Sequence, residues 1–303
     1  MRTTFVNLLI EETRKNKNLE LLTGDLGFGV LKPFIEEFPN RFTNCGIAEQ
    51  NMLSMAGGMA SVGKCVVVYS IGNFPTIRPL EQIRNDICYY NHNVKIVCIG
   101  GGYTYGSLGM SHHATEDVAV MRSMPNMTIF TPSDSVEAAV CIRKMFEIKG
   151  PCYLRLERDT AKPFHSLSQI HSIFDCQHVV ANNSKFAIFT YGTIAEEAIE
   201  AANNKGIDLF TMPCLKPVND ENLSQILKRY SKVFTVEEHS IIGGLGDILS
   251  KVISESESLN TKIIRIGIKD TFLSDVGDQK YMRMCAGIDR ENILKIIDSE
   301  LSK

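Results

Sequence analysis

CVVVYSIGNFPTIRPLEQIRNDICYYNHNVKIVCIG (residues 65–100) holds two short apolar runs, CVVVYS at 65–70 and VKIVCIG at 94–100, with a helical pattern from Leu80 to Asn91 between them. The runs are rich in β-branched residues and continuous rather than alternating, as expected of strands covered on both faces. Strand, helix and strand at this spacing make a βαβ unit, which predicts a parallel sheet.

The rhythm extends outward from this unit. MTIFT (127–131) and CYLRL (152–156) read as further strands, with helical stretches at Ala48 to Ser61, Glu116 to Ser123 and Ser135 to Glu147. From residue 186 the pattern restarts: FAIFT (186–190), IDLFT (207–211), KVFTV (232–236) and KIIRI (262–266) are strands, with helices near 194–204, 219–230, 244–254 and 290–301. Residues 159–184 are polar, carry three of the seven histidines and show no period. The expectation is an α/β protein of two doubly wound domains, 1–165 and 185–303, joined by a linker at 166–184. In such sheets ligands bind beyond the carboxyl ends of the strands, so the loops after the strands carry the candidate chemistry.

Composition narrows the function classes. The 303 residues are 44% hydrophobic and 22% charged with a net charge of −3, ordinary for a soluble globular protein. That balance gives no reason to expect nucleic acid or an anionic membrane as a partner. No apolar run reaches the roughly 18 residues that span a bilayer. The start, MRTTFVNLLIEETRKN, is an amphipathic helix pattern without the apolar run and cleavage site of a signal peptide. The nine cysteines include no CxxC pair; they read as buried reduced thiols of a cytoplasmic protein, not as metal ligands.

Four stretches could carry chemistry. In NCGIAEQNM (44–52), Glu49 opens a helix whose continuation, MLSMAGGMAS, is rich in small residues. A carboxylate there is favoured by the helix dipole alone, but so small-sided a helix is intrinsically costly and points to close packing against another backbone, an interface or a cofactor. GGGYTYGSLGMSHHATED (100–117) is a glycine-rich loop with Tyr103, Tyr105, His112 and His113. Glycines admit a ligand close to the backbone, and the tyrosines offer rings and hydroxyls. The paired histidines read as metal-binding or as substrate-facing, and no cysteine or carboxylate cluster completes a metal site. In YLRLERD (153–159), Arg155 and Arg158 could hold a carboxylate or phosphate or form a surface ion pair. VEEHSIIGGLGD (236–247) is a glycine turn into a helix, either an anion-binding turn or a structural one.

The order and spacing of LLTGDLGFG, NCGIAEQNM, SIGNFPTIRPLEQIRND, GMSHHATEDVAVMRSMPNMTIFTPSD, PCYLRLERD and VEEHSIIGGLGD resemble the transketolase-like enzymes across essentially the whole chain. The resemblance is closest to split transketolases, in which this half is a separate subunit. It implies a pyrimidine-binding domain followed by a transketolase C-terminal domain, and thiamine diphosphate as cofactor. Glu49 resembles the glutamate that hydrogen-bonds N1′ of the cofactor's aminopyrimidine and favours its imino tautomer. Phe74 matches the aromatic that stacks on that ring. Asp25 matches an acid near the thiazolium, and His112 a histidine beside the reacting carbonyl. Tyr105, His113, Arg155 and Arg158 are the further substrate-binding candidates. The family's GDG motif, which holds the diphosphate and its Mg2+, is missing, since GDL at 24–26 does not match it. The resemblance therefore implies a partner: an N-terminal-half subunit carrying GDG, assembled with this chain as a heterotetramer.

Two departures bear on substrate. Leu108 stands where transketolases place an aspartate, and Gly100, Gly101 and Gly102 stand where they have a His or Arg for phosphate. The expectation is transfer of a two-carbon ketol unit between sugars, with a modified or nucleotide-linked sugar fitting an opened glycine loop. The alternatives are the β subunit of a 2-oxoacid decarboxylating dehydrogenase and a non-catalytic structural or regulatory subunit. A retained Glu49 argues against the last.

Overall fold

The computed structural model describes residues 1–157 and 162–302. The first half contributes β1 (Leu19–Thr23), β2 (Phe42–Asn44), β3 (Cys65–Ile71), β4 (Val94–Ile99), β5 (Thr128–Phe130) and β6 (Cys152–Leu156). The second half contributes β7 (Gln177–Val180), β8 (Phe186–Thr190), β9 (Asp208–Thr211), β10 (Cys214–Lys216), β11 (Lys232–Ser240) and β12 (Lys262–Ile268). The helices are α1 (Arg2–Lys15), α2 (Lys32–Glu37), α3 (Glu49–Ser61), α4 (Leu80–Gln82), α5 (Asp117–Arg122), α6 (Ser135–Glu147), α7 (Ala195–Lys205), α8 (Asp220–Leu227), α9 (Leu245–Ser254), α10 (Gln279–Ala286) and α11 (Arg290–Leu301).

Two sheets result, ordered β10-β5-β6-β4-β3-β1-β2 and β12-β11-β8-β9-β7. The inner pairings of both are parallel, as the continuous apolar strands require. Each sheet is covered on both faces. On β3, Val66 and Val68 pack with Met52, Leu53 and Ala56 of α3, while Val67 and Tyr69 pack with Phe5 and Leu9 of α1 and Ile142 of α6. On the second sheet, Ile188 and Phe234 meet Ala198 of α7 and Ile293 of α11, whereas Phe189 and Val233 meet Leu223 of α8 and Leu249 of α9.

The structure adds what the sequence pattern does not show. β10 leaves the second half and pairs antiparallel with β5 at the edge of the first sheet. β7 lies inside the stretch expected as linker and pairs antiparallel with β9. The expected helix from Leu80 to Asn91 is a single α turn running into a π-helical turn at Ile83–Cys88. That wide turn presents the Asp86 carbonyl to Gly57 of α3, where an added Cβ would lie 2.7 Å from the oxygen. The close backbone approach expected of the MLSMAGGMAS helix thus occurs within the chain.

Candidate active site

Because β4, β3, β1 and β2 are neighbours and parallel, the loops leaving their carboxyl ends converge. Asp25 follows β1, Glu49 follows β2, Phe74 and Arg78 follow β3, and the loop through His113 follows β4.

Glu49 is the first residue of α3 and is 5% exposed, placed where the helix dipole favours its charge. The turn leading to it is fixed by Asn44. Its Oδ1 accepts from the Asp25 N–H at 2.9 Å and the Gly46 N–H at 3.0 Å, and its Nδ2 donates to the Asp25 carboxylate at 3.0 Å. Asp25 itself is exposed and adopts φ 56, a conformation that aspartate tolerates better than most residues. The TGDLG turn is thereby laced to the segment that carries Glu49. In front of Glu49 lies a cavity of about 380 Å³, lined by Ile47, Ala48, Glu49, Gln50, Asn51 and Arg78.

Phe74 is half-buried, with the His112 ring edge-on at 5.0 Å. Burial, and then the charge of Arg78, lowers the His112 pKa, which favours the neutral imidazole. Its Nδ1 lies 3.0 Å from the Ser111 hydroxyl. His113 turns away from Phe74, 5% exposed and edge-on to the Tyr103 ring at 4.9 Å. Its Nε2 has no partner, and its carbonyl accepts from Asn73 Nδ2. A second cavity of about 300 Å³ lies between Asn73, Tyr103, Met110 and His113 on one side and Thr271, Phe272 and Leu273 on the other. The two histidines therefore face different surroundings. Among the described residues, no group of three or more His, Cys, Asp or Glu is placed to hold a metal ion.

Two sequence-based expectations need correction, and one open alternative is settled. The Gly100–Gly102 stretch is not open. An added Cβ would meet the Tyr105 ring at 2.3 Å from Gly100, the Arg155 guanidinium at 2.4 Å from Gly101 and the Glu238 carboxylate at 2.5 Å from Gly102. The glycines admit the chain's own side chains, so they leave no volume for a bulkier substrate, and the Tyr105 ring is spent on filling one of these gaps.

Arg155 is taken up by the chain's own groups. It is 1% exposed; Nε donates to Asp117 at 2.9 Å, Nη1 to Glu157, and Nη2 to the carbonyls of Ala114 and Glu238 at 3.2 and 3.1 Å. The network continues into the second half. Glu157 accepts from Thr193, whose hydroxyl also accepts from Arg283 at 3.0 Å, and Arg283 Nε donates to Glu238 at 2.6 Å. Burial pushes Glu157 up, against the opposing charge of Arg155. Arg158 lies outside the described residues.

The glycine turn of VEEHSIIGGLGD, finally, is taken by the chain itself. The Glu237 carboxylate accepts from Leu245 N–H at 2.7 Å and Gly246 N–H at 3.2 Å. Burial raises its pKa to about 7 despite those bonds.

Arg78 is the residue that sequence reading missed. Its Nη1 lies 3.3 and 3.2 Å from the two Glu49 oxygens, and its guanidinium carbon lies 4.2 Å from the centroid of Phe74. A cation in an irregular loop follows no periodicity, and its position four residues after Phe74 is the one signal the sequence offers.

Comparison with known proteins identifies the family. Residues 1–163 match the family described as transketolase, pyrimidine binding domain, and residues 177–293 match transketolase, C-terminal domain. A Methanocaldococcus jannaschii protein provisionally named a transketolase C-terminal section is 37% identical over 310 residues, covering 100% of this chain and 96% of that protein. One of the subunits of an apulose-4-phosphate transketolase from Actinobacillus succinogenes is 35% identical over 271 residues, covering 88% of this chain and 86% of that protein. A solved structure described as a split gene transketolase, inactive beta4 tetramer, superposes with a TM-score of 0.86 at 31% identity, over 99% of this chain and 98% of that one.

Proposed function

The chain belongs to the transketolase family, and we propose that it is the pyrimidine-side subunit of a split, thiamine-diphosphate-dependent enzyme that moves a two-carbon ketol unit between sugars. The observation that carries this reading is the buried Glu49 carboxylate, set at a helix N-terminus in a cavity wall, with Phe74 and His112 close by. An acid that hydrogen-bonds a ring nitrogen and an aromatic that stacks on the ring are what the aminopyrimidine end of the cofactor requires. The donor set therefore fits that end. The diphosphate and Mg2+ go to a partner chain that carries the GDG motif, and two copies of each chain form a heterotetramer by the symmetric pairing usual in soluble oligomers. The description of a relative as an inactive β4 tetramer supports such partner dependence.

Bound thiamine diphosphate supplies the electron sink for breaking and making the carbon–carbon bond. Glu49 would hydrogen-bond N1′, and Phe74 would hold the ring against it. Neutral His112 can donate to, or accept from, a substrate oxygen without adding charge. Asp25 holds the turn beside Glu49 in register. The filled glycine loop removes the ground for a nucleotide-linked substrate. A modified sugar phosphate, the kind of substrate named for the A. succinogenes relative, is the better-supported class.

The test is reconstitution. The isolated chain should bind thiamine diphosphate weakly and turn nothing over, while co-expression with a GDG-bearing N-terminal half should restore both and give a 2:2 complex by light scattering. In that complex Glu49→Gln should lower turnover by about 10²–10⁴-fold, the usual range for acid–base contributions, with folding preserved. Near-normal turnover would remove Glu49 from this role. Preference for pyruvate over ketose phosphates as donor would make the chain a 2-oxoacid dehydrogenase β subunit instead.

A further inference from the structure

Arg78 stands where a flat, hydrogen-bonding ring would stand. A guanidinium is planar and delocalised, with donors along its rim. Here its face lies against Phe74 at 4.2 Å, and one rim nitrogen reaches both oxygens of Glu49 at 3.2–3.3 Å. An aromatic face plus an edge donor to this same carboxylate is also the contact set assigned above to the aminopyrimidine. Both groups would draw on the same carboxylate and the same ring.

The pairing has a physical reason in the free chain. Glu49 is 5% exposed, and a buried carboxylate without a counter-charge is strongly destabilising. Arg78 supplies that charge from a side chain that is itself 48% exposed, so the pair is held weakly and can exchange. We propose that Arg78 is a place-holder: without cofactor it occupies the aminopyrimidine subsite and compensates Glu49, and it swings out when thiamine diphosphate binds. This inference rests on the reading of Glu49 as the pyrimidine-side acid.

The test measures cofactor affinity, by calorimetry on the metal-loaded complex of this chain with its N-terminal-half partner. Arg78→Met removes the competitor, and thiamine diphosphate should bind roughly five- to thirtyfold more tightly, the combined size of an exposed cation–π contact and a weak ion pair. Arg78→Lys keeps the charge and loses the planar face, so it should fall between the two; it carries the test if the Met variant does not assemble. The Arg78→Met free chain should also melt about 2–4 °C lower, since Glu49 loses its partner. Unchanged or weaker cofactor binding in the variants overturns the place-holder. If that happens while Glu49→Gln still abolishes turnover, the functional reading stands without it. If the wild-type complex binds no thiamine diphosphate, both fall.

Discussion

Arg78 and Arg155 both attend the carboxyl end of the first sheet, and the chain uses them in opposite ways. Arg155 lies within β6 and is sealed at 1% exposure among Asp117, Glu157 and two carbonyls. Arg78 lies in the loop beyond β3, about half exposed, against one carboxylate and one ring. An arginine inside a strand covered on both faces has to bring its counter-ions with it, because an unpaired buried charge costs too much. An arginine past the strand end carries no such obligation and can trade partners. Closed networks hold the two halves together, and open pairs are where a ligand can enter.

The largest effect should come from breaking the closed network. Arg155→Met leaves Asp117 and Glu157 buried without their cation, and unfolding of the purified chain in denaturant should show a loss of about 3–5 kcal/mol. The same substitution at Arg78 strands one carboxylate rather than two and removes a cation that is itself about half exposed, so its loss should be smaller. If Arg155→Met costs under about 1 kcal/mol, the seam is not closed in the sense argued here and the contrast with Arg78 fails.

The contrast also marks what is legible in the sequence. β3, β4, β6 and β8 are readable because burial on both faces forces continuous apolar runs. β10 is not, since three residues between Pro213 and Pro217 are too few to show a period. Glu49, Phe74 and His112 are readable from motif order, and the structure brings them to one end of the sheet. The Gly100–Gly102 stretch reads wrongly as open space because a glycine reports only that something comes close, not what comes. Here Tyr105, Arg155 and Glu238 come close, from 5, 54 and 136 residues away in the chain. Arg155 misleads for the related reason that a strand-end arginine looks the same in sequence whether its partners are ligand or protein.

A milder test concerns the clip at His165. Its Nδ1 lies 3.0 Å from Asp134, the N-cap of α6, and its Nε2 lies 3.1 Å from both Glu137 and the Thr211 hydroxyl of β9. Burial alone would lower its pKa, but the Asp134 hydrogen bond and the charges of Glu137 and Asp134 outweigh burial and raise it. A histidine raised above its unfolded value stabilises fully below that value, about 6.5, and the contribution disappears as pH climbs through the folded pKa. The difference in unfolding free energy between wild type and His165→Gln should therefore be greatest below pH 6.5, at about 1.5–3 kcal/mol for a bond to a charged group, and should shrink on the alkaline side. Taking the difference cancels the raised Glu237 and the buried thiols, which titrate in both proteins. A difference that stays flat from pH 6 to 9 would mean that the clip is uncharged and does not belong with the closed networks.

The smallest expected effects separate two adjacent glycines of α3. A Cβ on Gly57 would lie 2.7 Å from the Asp86 carbonyl oxygen, a backbone atom that cannot easily move, whereas a Cβ on Gly58 meets nothing within 4 Å. Gly57→Ala should therefore destabilise the free chain by about 1–3 kcal/mol through overpacking. Gly58→Ala, at an exposed site inside a helix, should stabilise it by about 0.5–1 kcal/mol, because alanine gives up less backbone freedom on folding. Opposite signs at neighbouring positions would be hard to produce by any general change in helix propensity, so the pair isolates what each face touches. The same Gly58 variant then probes the assembled enzyme. If the gain persists in the complex with the N-terminal half, that face of α3 meets solvent. If the gain vanishes and the subunits associate more weakly, a partner backbone lies over Gly58, and the open face in the free chain is an interface waiting to be closed.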